Sequence, residues 1–227
     1  MASALVELLD CADVCIISGG NVEQFERQVL NHLKAGHQAL EHLHLMPTCG
    51  TRYLRFQDGV WTTIYAHDLS EDERDNAIAS LRERAEDLGF WEEETWGDVI
   101  EDRGSQITFS ALGQQAPIEA KRAWDPDGSK KEALRDAVAA DLPELEVRSG
   151  GSTSIDITAT GVDKAFGITR LAEYTGVSFD DMLFVGDRLD PGGNDYPVVA
   201  LGCKTVAVDD WEDTARFVEK LVKTFPA

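Results

Sequence analysis

The apolar positions of this 227-residue chain change their spacing twice, and those changes divide it into three stretches. A helical pattern over residues 2–9 leads into a short β-branched run, Val14-Cys15-Ile16-Ile17, which stops at Ser18-Gly19-Gly20. Phe25, Val29 and Leu33 then recur at helical spacing, so the pattern predicts strand, tight turn, helix. Because a helix precedes that strand, the chain is expected to enter an α/β unit partway through.

The texture changes near Tyr53. Tyr53-Leu54-Arg55-Phe56 and Val60-Trp61-Thr62-Thr63-Ile64-Tyr65 flank Asp58-Gly59, which predicts a hairpin. Charged helices are expected over 71–88 and 129–141, with strands near 96–101, 106–111 and 154–157. Hairpin connections mixed with helices predict an α+β module inserted at 56–158. After Gly161 the α/β texture returns, with a helix over 164–176, strands at 182–185, 198–202 and 204–208, and a closing helix over 211–224. The expected fold class is therefore α/β: a Rossmannoid core with a parallel sheet, residues 1–55 and 159–227, carrying an inserted α+β domain. Ligands bind beyond the carboxyl ends of strands in such sheets, and Ser18 and Asp187 both occupy that kind of position.

Composition narrows the classes of function. With 43% hydrophobic residues the chain can bury a substantial core. The 42 acidic against 21 basic residues give a net charge of −21, which disfavours nucleic acid and anionic membrane as partners. Cys11, Cys15, Cys49 and Cys203 form no Cys-x-x-Cys pair and suggest reduced thiols. The first basic residue is Arg27 and no apolar run reaches membrane-spanning length, so a cytoplasmic location is expected. His32, His37, His42 and His44 are close in sequence, but their spacing does not put three on one helical face; a surface helix is the reading.

Three segments carry candidate chemistry. Ser18 and the backbone N–H groups of Gly19 and Gly20, at a strand end and helix start, can donate hydrogen bonds to phosphate oxygens. Lys164, in Gly161-Val162-Asp163-Lys164-Ala165, sits at a helix start where an ammonium opposes the dipole, a placement that suits a lysine facing anions. Phe184-Val185-Gly186-Asp187-Arg188-Leu189-Asp190-Pro191-Gly192-Gly193-Asn194-Asp195-Tyr196 places Asp187, Asp190 and Asp195 on one loop. Carboxylates gathered there call for a compensating cation, and oxygen ligands suit Mg²⁺.

In that order, the three segments resemble motifs two, three and four of the haloacid dehalogenase (HAD) superfamily, and the insert resembles its class IIB cap. The nearest likeness is to the eukaryotic-type phosphomannomutases, whose fourth motif also ends Pro-Gly-Gly-Asn-Asp. The resemblance implies that Ser18 and Gly19 hold a phosphoryl group and that Lys164 neutralises the nucleophile and phosphate. It also implies that Asp187, Asn194 and Asp195 form the Mg²⁺ loop. Within the cap, Glu101-Asp102-Arg103-Gly104 and Gly150-Gly151-Ser152-Thr153-Ser154-Ile155-Asp156 are similar to substrate-binding segments, so Arg103, Ser154 and Asp156 are expected to face a small phosphorylated metabolite such as a sugar phosphate. Family caps also dimerise, which extends the implied partners to a homodimer through the cap.

Two departures qualify what is carried over. Leu112-Gly113-Gln114 stands where the mutases have an arginine, which removes a bidentate guanidinium from the distal phosphate. A Mg²⁺-dependent phosphatase is therefore expected ahead of a mutase. In addition, no Asp-x-Asp ends a first strand, so the expected core lacks that strand and the carboxylate nucleophile with it. The expectation is a longer active parent, with a catalytically inactive ligand-binding remnant as the alternative.

Overall fold

A computed structural model describes residues 1–151 and 153–225; Ser152, quoted above in the glycine-rich cap segment, lies outside them. The chain separates into two compact units, 1–66 with 162–227, and 67–161. In chain order the first unit begins with α1 (Ala2–Leu9), β1 (Val14–Ile17), α2 (Val22–Gln28), α3 (His37–Glu41), β2 (Leu43–Met46), β3 (Arg52–Gln57) and β4 (Val60–Ala66). The second contains α4 (Glu71–Asp87), β5 (Ile100–Asp102), β6 (Gln106–Ser110), α5 (Ile118–Trp124), α6 (Ser129–Asp141), β7 (Leu145–Ser149) and β8 (Ser154–Ala159). The first unit resumes with α7 (Lys164–Thr175), β9 (Leu183–Gly186), α8 (Tyr196–Ala200), β10 (Lys204–Ala207) and α9 (Trp211–Val222).

The first unit is mixed α/β and holds two sheets. One has the order β1-β2-β3-β4, with β1 parallel to β2 (Val14 opposite Leu43, Ile17 opposite Met46) and the other pairs antiparallel. The second is the parallel pair β9 and β10. Among the described residues β1 pairs only with β2, and β9 only with β10. Ile168 and Leu171 on α7 pack in one cluster with Met46, Tyr53 and Val198, which side chains from β1 (Cys15, Ile17) and β9 (Phe184) join.

Two expectations about this unit are corrected. The hairpin 52–66, expected to open the insert, is hydrogen-bonded to β2 through His44–Arg55 and Leu45–Leu54, so it extends the first unit's sheet. The apolar run at 198–202, expected as a strand, forms α8 and the turn after it. Pro197 sets a helical φ in the first turn, and Val198 N–H donates to the Asp195 carbonyl (3.0 Å). A run that short carries no period to separate the two states.

The second unit is one amphipathic sheet, β5-β6-β8-β7, antiparallel throughout. Side chains alternate across it: Ile107, Phe109, Ile155 and Ile157 face the core, each no more than 1% exposed, while Gln106, Thr108, Ser110, Ser154 and Asp156 take the other face. The apolar face is covered by Ala77, Leu81 and Ala85 of α4, spaced four apart, and by Leu134 and Val138 of α6. Each fully buried Ile or Phe there contributes about 1.5–3 kcal/mol. Helix α4 starts on a capping box in which Ser70 and Glu73 bond each other's backbone N–H, and Glu71, Asp72 and Glu73 complement its dipole. Asp125, 6% exposed, accepts from the N–H groups of Lys130 and Lys131 and so anchors the first turn of α6.

Candidate functional site

Ser18 follows β1 directly, at the carboxyl end of that strand, and its hydroxyl is exposed. The Gly20 N–H donates to Ser18 Oγ (3.2 Å), and Asn21 then caps α2 through a reciprocal pair of bonds with Gln24. The turn is thus built by Asn21 and Gln24, next to Gly19 and Ser18. Ser18 N–H donates to the Met46 carbonyl (3.2 Å), and the Ser18 carbonyl accepts from Cys49 N–H (2.9 Å), so β2 and the turn after it hold the serine on both sides.

Lys164 is the first residue of α7, whose cap is Asp163: its carboxylate accepts from Phe166 N–H (3.0 Å). The anion that Lys164 meets is Asp195, and both partners are buried. Asp195 Oδ1 takes the lysine and Oδ2 accepts from Arg188 N–H (3.1 Å), so both oxygens are engaged. A side chain at Gly186 would place its Cβ 2.5 Å from Asp195 Oδ2; the glycine lets the carboxylate approach the strand end.

This changes the reading of the acidic loop. Its three carboxylates were expected to need a bound cation, yet two have protein cations of their own. Asp195 pairs with Lys164, and Asp190 pairs with Arg188 (3.1 Å), whose guanidinium holds the Asp190 carboxyl below its ordinary pKa. Asp187, directly after β9, and Asn194, at the far end of the loop, remain, and both are exposed. Among the described residues no three His, Cys, Asp or Glu side chains are grouped to hold a metal. The donor type nonetheless fits Mg²⁺, which binds through one or two carboxylates, waters and phosphate oxygens. Asp187 would be its carboxylate ligand, and Asn194 on the same loop would offer an amide oxygen.

The polar face of the second unit's sheet is a connected network. Asp156 Oδ1 accepts from Gln106 Nε2 (2.8 Å) and from the Thr108 hydroxyl (2.8 Å), and burial pushes its pKa up against the pull of these bonds. A Cβ on Gly150 would lie 2.9 Å from Asp156 Oδ2. Ser154 Oγ lies 3.0 Å from Ser110 Oγ, which accepts from Gln114 Nε2 (2.7 Å). Arg103, with a side chain 6% exposed, bonds Glu101 Oε2 through Nε and Nη2 (3.1 and 2.6 Å). It is therefore a covered arginine rather than a solvated one. Ser154, Asp156 and Arg103 belong to this unit; Ser18, Gly19, Lys164, Asp187, Asn194 and Asp195 belong to the other.

Sequence reasoning missed two features. Lys121 Nζ donates to the Gln114 carbonyl (2.9 Å), which puts a cation beside the position where an arginine was expected and not found. Nothing in its spacing marks it, since a lysine in a seven-residue helix reads as solvated. The other is His44. Read as part of a surface helix, it lies on β2 at 3% exposure, with Nδ1 2.6 Å from the Tyr53 hydroxyl. Burial, then the Arg55 charge, lowers its pKa to about 4. No helix among the described residues is long and apolar enough to cross a membrane.

Comparison with known proteins adds to these observations. A family model described as eukaryotic phosphomannomutase matches residues 5–224. A probable phosphomannomutase of Caenorhabditis elegans is 32% identical over 135 residues, 56% of this chain and 51% of that protein. Phosphomannomutase 1 of Mus musculus is 30% identical over 110 residues, 46% of this chain and 40% of that protein. The chain spans about half the length of the curated relatives it matches. In fold it is similar to an N-terminally truncated, IMP-bound IMP-nucleotidase of Plasmodium falciparum, with TM-score 0.66, 13% identity, and 98% of this chain and 62% of that one covered. It is also similar to a haloacid dehalogenase-like hydrolase from Bacteroides thetaiotaomicron, with TM-score 0.63, 12% identity, and 97% and 91% covered.

Proposed function

From the fact that this chain belongs to the eukaryotic phosphomannomutase family, within the HAD superfamily, we propose that it supplies the phosphate-holding and sugar-recognising parts of a Mg²⁺-dependent phosphoryl-transfer enzyme acting on hexose phosphates. The observation that carries this is the buried Lys164–Asp195 pair at the end of α7. We take its ammonium to face the same phosphate as Ser18, a reading supported by the close approach of Gly167 on α7 to Gly50 and to Ile17, which precedes Ser18.

Each residue then has a separate task. Ser18 Oγ donates to a phosphoryl oxygen beside Gly19, from a loop already held at Met46 and Cys49. Lys164 neutralises phosphate charge, and its bond to Asp195 fixes the position of the ammonium. Mg²⁺, when bound at Asp187, would neutralise the phosphate further. On the other unit, Asp156 Oδ2 and Ser154 Oγ present acceptors and a hydroxyl to sugar hydroxyl groups, and Arg103 and Lys121 supply positive charge for an anionic group. None of these residues is a carboxylate placed to attack phosphorus, so bond breaking is not assigned to them.

Gln114 favours a phosphatase and Lys121 beside it favours a mutase, since a mutase must hold two phosphates. Isothermal titration with a hexose 6-phosphate, a hexose 1,6-bisphosphate, the free hexose and inorganic phosphate tests both points. Loss of inorganic phosphate binding in Ser18→Ala and of free hexose binding in Asp156→Ala is expected. Bisphosphate binding lost in Lys121→Ala selects the mutase reading. Phosphate binding unaltered in Ser18→Ala, or hexose binding unaltered in Asp156→Ala, would overturn the proposal.

A further inference from the structure

We propose that the left-handed turn at Thr48–Gly50, seated on Gly167 of α7, is a positioning device that sets the Ser18–Gly20 loop against the Lys164 end of that helix. The proposal rests on the phosphate reading of Ser18 and Lys164.

Three successive residues after β2 have positive φ: Thr48 at 49°, Cys49 at 57° and Gly50 at 87°. A β-branched threonine is an outlier in that region, and such backbone persists only where its surroundings over-determine it. They do so here. Thr51 Oγ1 donates to the Thr48 carbonyl (2.9 Å) and lies 2.5 Å from Thr48 Oγ1, and both threonines are 1% exposed. The Tyr65 hydroxyl donates to the Gly50 carbonyl (2.7 Å).

What the turn then holds is the candidate phosphate loop. Thr48 N–H donates to the Gly20 carbonyl and Cys49 N–H to the Ser18 carbonyl, both at 2.9 Å. Those two bonds draw the carbonyls of the loop inward, and their placement leaves Ser18 Oγ exposed. On its other side the turn touches α7 with no side chain between. A Cβ on Gly50 would lie 2.4 Å from Gly167 Cα, and one on Gly167 would lie 2.5 Å from Ile17 Cδ1, 3.0 Å from the Cys49 carbonyl oxygen and 3.1 Å from Gly50 Cα. Gly167 is one helical turn from Lys164, and Ile17 immediately precedes Ser18. The separation between the serine hydroxyl and the lysine is thus set by a backbone-to-backbone contact, which a single methyl group would widen.

Gly167→Ala and Gly176→Ala, on the same helix, form the test. Gly176 has φ 74° and nothing within 4 Å of an added Cβ, so its substitution strains the helix end without touching the turn. The readouts are calorimetric titration with inorganic phosphate and the amide NMR signals of Gly19 and Gly20 in ligand-free protein. Gly167→Ala is expected to weaken phosphate binding about tenfold and to move both amide signals, whereas Gly176→Ala lowers thermal stability and leaves both readouts alone. Adding Ile17→Val, which removes Cδ1, recovers part of the lost affinity. Tyr65→Phe, a milder change that frees the Gly50 carbonyl, moves the same two signals even if Gly167→Ala does not fold. Phosphate affinity within twofold of the parent in Gly167→Ala, or equal losses in both alanine variants, overturns the proposal. If the parent protein binds no phosphate, the reading of the loop fails instead; unmoved Gly19 and Gly20 signals in the ligand-free variants would then overturn the positioning device separately.

Discussion

Replacing Asp195 with asparagine should destabilise the first unit sharply, because the carboxylate is 1% exposed and its partner Lys164 is 9% exposed. The substitution is isosteric and keeps an oxygen for Arg188 N–H, so packing and that hydrogen bond survive. What is lost is the one negative charge bonded to the Lys164 ammonium among the described residues, and the ammonium is then left buried against an amide. Breaking a buried pair by removing one partner costs about 3–5 kcal/mol. Lys164 retains a slightly exposed side chain (11%) and can reorient toward water, which places the expectation at the lower end, about 3 kcal/mol. For a chain of this size that corresponds to a fall in Tm of roughly 6–12 °C. Thermal unfolding followed by near-UV circular dichroism reads it, with Lys164→Met and the double variant alongside. The double variant should recover part of the loss, since neither charge then remains unpaired. A fall below 2 °C for Asp195→Asn, or additive losses in the double variant, would show that the pair is solvated and refute the reasoning.

Other outcomes follow from the same geometry. His44 is held neutral, its pKa lowered from 6.5 to about 4, so the unfolded chain binds the extra proton first. Its contribution is complete above pH 6.5 and is lost as pH falls toward 4, amounting to about 3 kcal/mol at 1.36 per unit. Urea unfolding at pH 7 and pH 4.5 should show a smaller acid loss in His44→Gln than in the parent. Phe109→Ala, at a 1% exposed site in the second unit, should cost about 3–5 kcal/mol in the same assay. Asp187→Ala should abolish any Mg²⁺ enhancement of phosphate binding, whereas Asp190→Ala, which only frees Arg188, should leave it intact; equal effects would reject Asp187 as the ligand. Gly150→Ala should weaken hexose phosphate binding with little change in stability, because the added carbon meets Asp156 Oδ2 at 2.9 Å; unaltered binding would remove that oxygen from the sugar site.

Elements with a sustained period were legible before the structure. Helix α6 runs from Ser129 to Asp141 as expected, and the charged stretch expected as a helix over 71–88 forms α4. Short apolar runs were not: Val198 and Val199 suit a strand by composition and became helical because Pro197 and Asp195 shape the turn before them. The hairpin at Asp58-Gly59 was visible, but its sheet was not, since which strand β3 joins depends on long-range pairing with β2. The order of Ser18, Lys164 and Asp187 carried the family. The partners of the loop acids could not be seen, because Lys164 is thirty-one residues from Asp195 and only folding brings them together. The strained turn left a trace in Gly50 alone; Thr48 and Cys49 have no residue-type signature of positive φ.

The one-sided pairing of β1 and β9 among the described residues has a colloidal consequence. Among the described residues β1 pairs on one side only, along Val14, Cys15, Ile16 and Ile17, all half-buried, and β9 begins with Leu183 at 44% exposure. Such edges are templates for a neighbouring chain, and the usual protection, a lysine or proline on the strand, is absent from both. The net charge of −21 is the counterweight, since molecules so charged repel before their edges meet. Salt removes that barrier, the screening length falling from about 10 Å at 0.1 M to about 3 Å at 1 M. Light scattering should therefore rise with ionic strength and fall again when Ile16 is replaced by lysine, so low salt is the condition in which this protein keeps to itself.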